Sequence, residues 1–155
     1  MKAFRFRLQA VLKMREEARD LCRHELARAN QAADILKEQQ SEILGELQDL
    51  ASQLLSAQTT GEVAVDWVME LRRYEVVLKL QVAQLDEQFK QVEAEVERRR
   101  ELLALADQEV RVLERLKASQ NSEWKKREAR MEQNQSDEVA SQMFLRQKAE
   151  EAKFQ

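Results

Sequence analysis

The sequence predicts an all-α fold, a long two-helix antiparallel coiled-coil hairpin with an extended second helix, and three observations carry that expectation. Apolar residues recur at alternating spacings of three and four along two separate stretches, which is the pattern of a coiled-coil seam. A glycine, Gly61, stands between the stretches, and the chain has no proline to break either of them. The composition, 43% hydrophobic and 35% charged with only 5% aromatic residues, suits narrow buried stripes on otherwise wet helices better than a globular α/β core.

The first helix is expected over about residues 5–57. Its ladder runs through Leu8, Val11, Ala18, Cys22, Ala29, Ala32, Leu36, Ile43, Leu47, Leu50 and Leu54, with polar rungs at Arg15, Glu25 and Gln39. Gly45 sits inside it at a cost of about 1 kcal/mol relative to alanine. Cys22 is the single cysteine, so it has no partner for an internal disulfide; it fits the seam as a small hydrophobe and agrees with a reducing compartment.

The reversal is placed at Gln58-Thr59-Thr60-Gly61, within a loop of about residues 58–62, because glycine tolerates the left-handed backbone that ends a helix. Asp66, or Thr60 ahead of Glu62, is suited to cap the helix that follows.

The second helix is expected over about residues 63–148. Its ladder is Val68, Leu71, Leu78, Val82, Leu85, Phe89, Val92, Val96, Leu103, Ala106, Val110 and Leu113, broken only by Glu75 and Arg99. Arg99 falls opposite Cys22 and Glu25, and a salt bridge to Glu25 would fix the register. Antiparallel pairing exhausts the first helix near residue 115, after a zipped length of about 75 Å. About thirty residues then remain as a single helix or a frayed tail. Trp124 and Met131 continue its stripe, while Asn121, Arg127, Asn134 and Gln135 dilute it. The whole chain, residues 1–155, reads as one coiled-coil unit.

Charge is uneven along this plan. Residues 1–15 hold five basic groups and no acidic one, and residues 111–130 hold seven basic and three acidic. The hairpin brings both stretches to its open end, whereas residues 34–75, near the loop, hold nine acidic and three basic groups. Cations in the first turn oppose the helix dipole, and an acidic partner surface would explain them. The plainer alternative is intramolecular pairing, for example Arg15 with Glu114.

Several function classes are disfavoured. No carboxylate pair falls in an expected cavity, no glycine-rich phosphate loop or Cys/His metal spacing is visible, and His24 reads as a surface residue. Catalysis, a metal or a cofactor is therefore not expected. Nucleic acid is a poor partner for a chain of net charge −3 without a base-reading module. Neither a membrane span nor a secretory signal is visible.

Two regions stand out as interaction surfaces. Phe4 and Phe6 flank Arg5 ahead of Arg7 and Leu8, either for insertion into a partner or as a hydrophobic staple at the helix start. Near the loop, Trp67, Tyr74, Val77 and Leu80 lie off the seam. Arg73, Val77, Leu80 and Gln84 share a face suited to docking, or to packing beside a broad seam.

The start Phe4-Arg5-Phe6-Arg7-Leu8 with Val11-Leu12 and Arg15, Trp67 after the loop, and Arg130-Met131-Glu132-Gln133 leading to Asp137-Glu138-Val139-Ala140 resemble the flagellar export protein family FliJ. The tail motif and the aromatic start do not follow from the heptad. The resemblance implies an antiparallel coiled coil similar to the central stalk of rotary ATPases. It would be the cytoplasmic stalk of the flagellar type III export ATPase complex, peripheral at the inner-membrane export apparatus. It implies contact between the open end and the hexameric FliI ATPase, through Phe4, Arg5, Phe6, Arg7, Leu8, Lys13, Arg15, Trp124, Arg127, Arg130 and Met131. Contact with the export gate protein FlhA is implied through Gln39, Ile43, Glu46, Leu50, Arg73, Tyr74, Val77, Leu80 and Gln84. Family members are also described as recycling export chaperones. The alternatives are the stalk of a virulence-type injectisome and a generic scaffold of two parallel chains, whose length would be about 200 Å rather than about 110 Å.

Overall fold

The computed structural model describes residues 3–59, 61 and 64–151. They form a helical hairpin of α1 (Gln9–Thr59) and α2 (Val65–Glu151), with no strand among the described residues. Gly61 lies at the reversal with φ of +74°, the left-handed region in which a Cβ is strained. Trp67 and Val68 N–H groups both donate to the Ala64 carbonyl, at 3.1 and 3.2 Å, and open α2. Asp66 stands in that first turn, where its carboxylate complements the dipole. The alternative cap, Thr60 with Glu62, lies outside the described residues, as do Lys2 and residues 152–155 of the tail.

No basic side chain serves the last turn of α1. Hydroxyls bond back instead: Thr59 Oγ1 donates to the Ser56 carbonyl at 2.8 Å, and Ser56 Oγ to the Gln53 carbonyl at 2.9 Å. At the other end α1 begins at Gln9, four residues after the expected start near residue 5. Phe4-Arg5-Phe6-Arg7 has a period of two, and in the structure Phe4 and Phe6 turn inward while Arg5 and Arg7 face solvent. The Gln9 N–H donates to the Phe6 carbonyl at 3.2 Å, and α1 starts there. At its far end α2 continues as helix to Glu151, three residues past the expected limit.

Packing divides the chain into two compact units: Met1–Glu16 with Gln108–Gln155, and Glu17–Asp107. In each, the two helices run antiparallel. In the first unit Gln9 meets Lys117 and Arg15 meets Glu109; in the second Glu25 meets Arg99 and Glu46 meets Tyr74.

All twelve expected rungs of α2 are buried or half-buried. The α1 ladder needs correction at alternate rungs. Leu26, Ala33 and Gln40 turn inward, while Ala18, Ala32 and Gln39 are exposed, and Leu12 is buried in place of Val11. The seven-residue steps Cys22, Ala29 and Leu36 admit an intermediate rung at either of two neighbouring positions. Glu25 and Leu26 are both half-buried and share one rung; Leu12 is taken over Val11 because the larger apolar side chain removes more area from water, whereas Ala32/Ala33 and Gln39/Gln40 are matched pairs that size cannot separate.

Candidate functional site

In the unit formed by Met1–Glu16 and Gln108–Gln155, Phe6, Leu12 and Val110 make a buried cluster, with Phe4 and Leu113 packed against it. The Phe4 ring tilts at 47° to Trp124 with centroids 6.2 Å apart, a tilted aromatic pairing. Two of the proposed insertion residues are thus spent inside the unit: Phe6 is 7% exposed, and Phe4 is half-covered. This arrangement anchors the start of the chain and leaves Arg5 and Arg7 outside.

The polar frame is intramolecular. Arg15 pairs with Glu109 at 2.8 Å, not with Glu114, and both partners are half-exposed. Lys117 Nζ donates to Gln9 Oε1 at 2.8 Å, and Arg127 lies 3.5 Å from Glu123. Lys13, Arg130 and Met131 are exposed, and Leu8 is only marginally so. Beyond Glu128 every described residue of α2 is exposed, including Val139, Met143, Phe144 and Leu145. This unit therefore presents guanidinium and ammonium groups on a rigid two-helix base, together with a single helix that has apolar side chains to bury.

In the unit Glu17–Asp107, Leu50, Leu54, Leu78 and Val96 are buried. Of the expected gate-facing residues, Gln39, Glu46, Arg73, Tyr74, Val77, Leu80 and Gln84 are exposed and Ile43 is half-buried. Leu50, at 4% exposure, supports the seam and has no surface to offer. Trp67 is exposed, so the apolar residues off the seam remain unspent on this unit.

Tyr74 Oη donates to Glu46 Oε2 at 2.9 Å and ties the two helices together on this face. That hydrogen bond, with the negative charge of Glu46, raises the phenol above its ordinary value of 10.0. Glu75, the polar rung of the α2 ladder, is bracketed by Lys79 at 2.8 Å and Arg72 at 2.9 Å. Hydrogen bonds from Lys79 and then Arg72 hold its carboxyl below the ordinary 4.5. Arg99, the other polar rung, bonds Glu25 across the seam and Glu95 one turn back at 2.7 Å, as the register argument expects. Cys22 is half-buried and free.

Among the described residues no three His, Cys, Asp or Glu side chains gather in a metal-binding group, and no helix is long and apolar enough to cross a membrane. The described residues present an exposed cationic set in one unit and, in the other, exposed apolar and amide side chains beside Glu46 and Arg73. The sequence reading did not anticipate Glu109, the Tyr74–Glu46 bond or the pairing of Phe4 with Trp124. Each depends on which side chains meet across the hairpin, although the period-two Phe-Arg-Phe-Arg run signalled an inward-facing pair.

No curated protein matches the sequence. Among solved structures, a Chlamydia trachomatis protein described as a YscO homologue shares the fold with a TM-score of 0.53 at 18% identity, covering 94% of this chain and 98% of its own. The model of the flagellar FliJ protein family matches residues 4–149, nearly the full length of both helices. By that match, the chain belongs to the flagellar FliJ protein family.

Proposed function

We propose that this protein is the stalk of the flagellar type III export ATPase complex, a cytoplasmic protein held at the inner-membrane export apparatus through its partners. Family membership over residues 4–149 carries the reading. The cationic unit supports contact with the FliI hexamer through Arg5, Arg7, Lys13, Arg127 and Arg130, on a base stiffened by Phe4, Phe6 and Trp124. Gln39, Glu46, Arg73, Tyr74, Val77, Leu80 and Gln84 form the face offered to the export gate protein FlhA, with Ile43 and Leu50 beneath it. Recycling of export chaperones is part of the same reading.

The stalk adds no reaction of its own. It acts by binding one conformation of an ATPase subunit better than another, the only way a ligand shifts an equilibrium. A single asymmetric hairpin cannot meet six equivalent subunits alike, so its presence biases the order in which they turn over.

Hydrolysis and hexamer formation by the cognate ATPase test this reading, comparing the intact chain with Arg5→Glu/Arg7→Glu, which leaves the buried Phe6 in place. Stimulation by the intact chain, reduced about tenfold in the variant, is the expected outcome, equivalent to about 1.4 kcal/mol of coupling. If neither protein stimulates the ATPase, the reading fails and a scaffold role replaces it.

A further inference from the structure

One side of the hairpin in unit Glu17–Asp107 lacks the charge that dominates the rest of the surface. Along α2, Val77, Gln81, Gln84, Gln88 and Gln91 follow each other at spacings of four and three, all exposed and none ionisable. Ala32, Ile35 and Gln39 face them along α1, also exposed. Between the two rows run two adjoining grooves of about 450 and 310 Å³, floored by Leu36, Val92, Ile43 and Leu85. Glu42 is the one ionisable residue that lines them. The opposite side of the same segment holds a groove of about 540 Å³ lined by Asp34, Lys37, Lys90, Glu93, Glu97 and Arg100.

Flanks of a solvated coiled coil normally carry charge. In this chain, 35% of residues are charged, so an α2 row free of charge for four turns, with Glu42 of α1 the one carboxylate lining the grooves beside it, is a face that tolerates being covered. Ile35 and Val77 remain about half-exposed there, at 55% and 47%, with apolar area to bury. The amides favour a particular occupant. In a two-fold interface each residue near the axis meets its own copy, so Lys or Glu repels itself. Glutamine both donates and accepts, and so pairs with itself.

We propose that this glutamine-lined face is a self-association surface on which two copies of the chain pack about a two-fold axis. The patch is about 17 Å long and about 20 Å wide, and burying it on both copies covers about 700 Å². That is below the roughly 1,200–2,000 Å² of stable complexes, so the dimer is weak and depends on concentration. Gln39 and Gln84 also belong to the proposed gate-facing set, so dimer and gate complex would exclude each other. That consequence rests on the export reading, and the dimer does not.

Sedimentation equilibrium of the full chain tests the proposal, alongside Gln84→Glu/Gln88→Glu and, as a control on the opposite side, Lys37→Gln/Glu93→Gln. All four positions are on the surface of long helices, and circular dichroism confirms that each variant folds. The expected result is a dimer that the glutamine variant weakens at least about tenfold and the control leaves unchanged. A wild-type chain that stays monomeric to about 0.5 mM overturns the proposal. So does a dimer that survives Gln84→Glu/Gln88→Glu, or one that the control disrupts. None of these outcomes bears on ATPase stimulation, which tests the export reading separately.

Discussion

The two glycines of this chain do opposite things, because one has a backbone that only glycine adopts cheaply and the other does not. Gly61 holds φ of +74° at the reversal, so Gly61→Ala costs about 1 kcal/mol although nothing crowds its Cβ position. Gly45 lies inside α1 with open space around the position of a Cβ, so Gly45→Ala stabilises by about 1 kcal/mol. Urea titration of the two variants should move the midpoint in opposite directions. Two titrating groups near the loop each add a pH-dependent contribution to stability. Glu75, held low by Lys79 and Arg72, contributes above its ordinary 4.5, and that contribution is lost as pH falls through its lower folded value. Tyr74, raised by Glu46, contributes below 10.0 and loses that contribution as pH rises through its higher folded value. Melting temperature against pH should therefore show a plateau with two falling limbs. Glu75→Gln should flatten the acid limb, and Tyr74→Phe the alkaline one.

At the scale of elements, the segment before α1 is the instructive case. The non-helical Phe-Arg-Phe-Arg run delivers Phe4 and Phe6 to the side of α2 near Val110, Leu113 and Trp124, and α1 starts just after this anchor. Phe6→Ala removes most of one of the larger buried side chains from a small cluster and should cost about 3 kcal/mol. Hydrogen exchange should show faster opening of the first turns of α1 and of α2 around Val110, with little change around Leu50 and Leu78 in the other unit. Among the described residues no helix stands beside the α2 segment beyond Glu128, yet its backbone stays helical to Glu151. Its Val139, Met143 and Phe144 leave apolar area exposed there.

For the whole molecule, function is a matter of which faces stay unspent once the seam is closed. In the unit Met1–Glu16 with Gln108–Gln155, Arg15 and Lys117 have partners inside the chain, while Arg5, Arg7, Lys13 and Arg130 are exposed. Attraction between exposed charges is screened over about 8 Å at physiological salt. If these groups engage the ATPase, raising ionic strength from about 0.05 to about 0.3 M should weaken the concentration dependence of stimulation several-fold. Stimulation insensitive to salt would point to the apolar stripe of the α2 tail as the main contact.

The hairpin was legible because its causes are local and repetitive: a three-four ladder needs only apolar residues at fixed spacing, and a reversal needs only Gly61. The α2 ladder could be read rung by rung, since large side chains such as Phe89 and Val96 leave one choice of face. The α1 ladder could not, because Ala32 and Ala33, and Gln39 and Gln40, bury similar areas, and the partner helix chose Ala33 and Gln40. The candidate site divides in the same way. Its charges are countable from residue order, but whether Phe6 inserts into a partner or staples the helix start is not, and Leu50, a rung of the seam, is too buried to serve the gate-facing set as well, because burial depends on what stands opposite. Pairings such as Arg15 with Glu109 and Tyr74 with Glu46 join residues far apart in the chain, and only the register of one helix on the other brings them within reach.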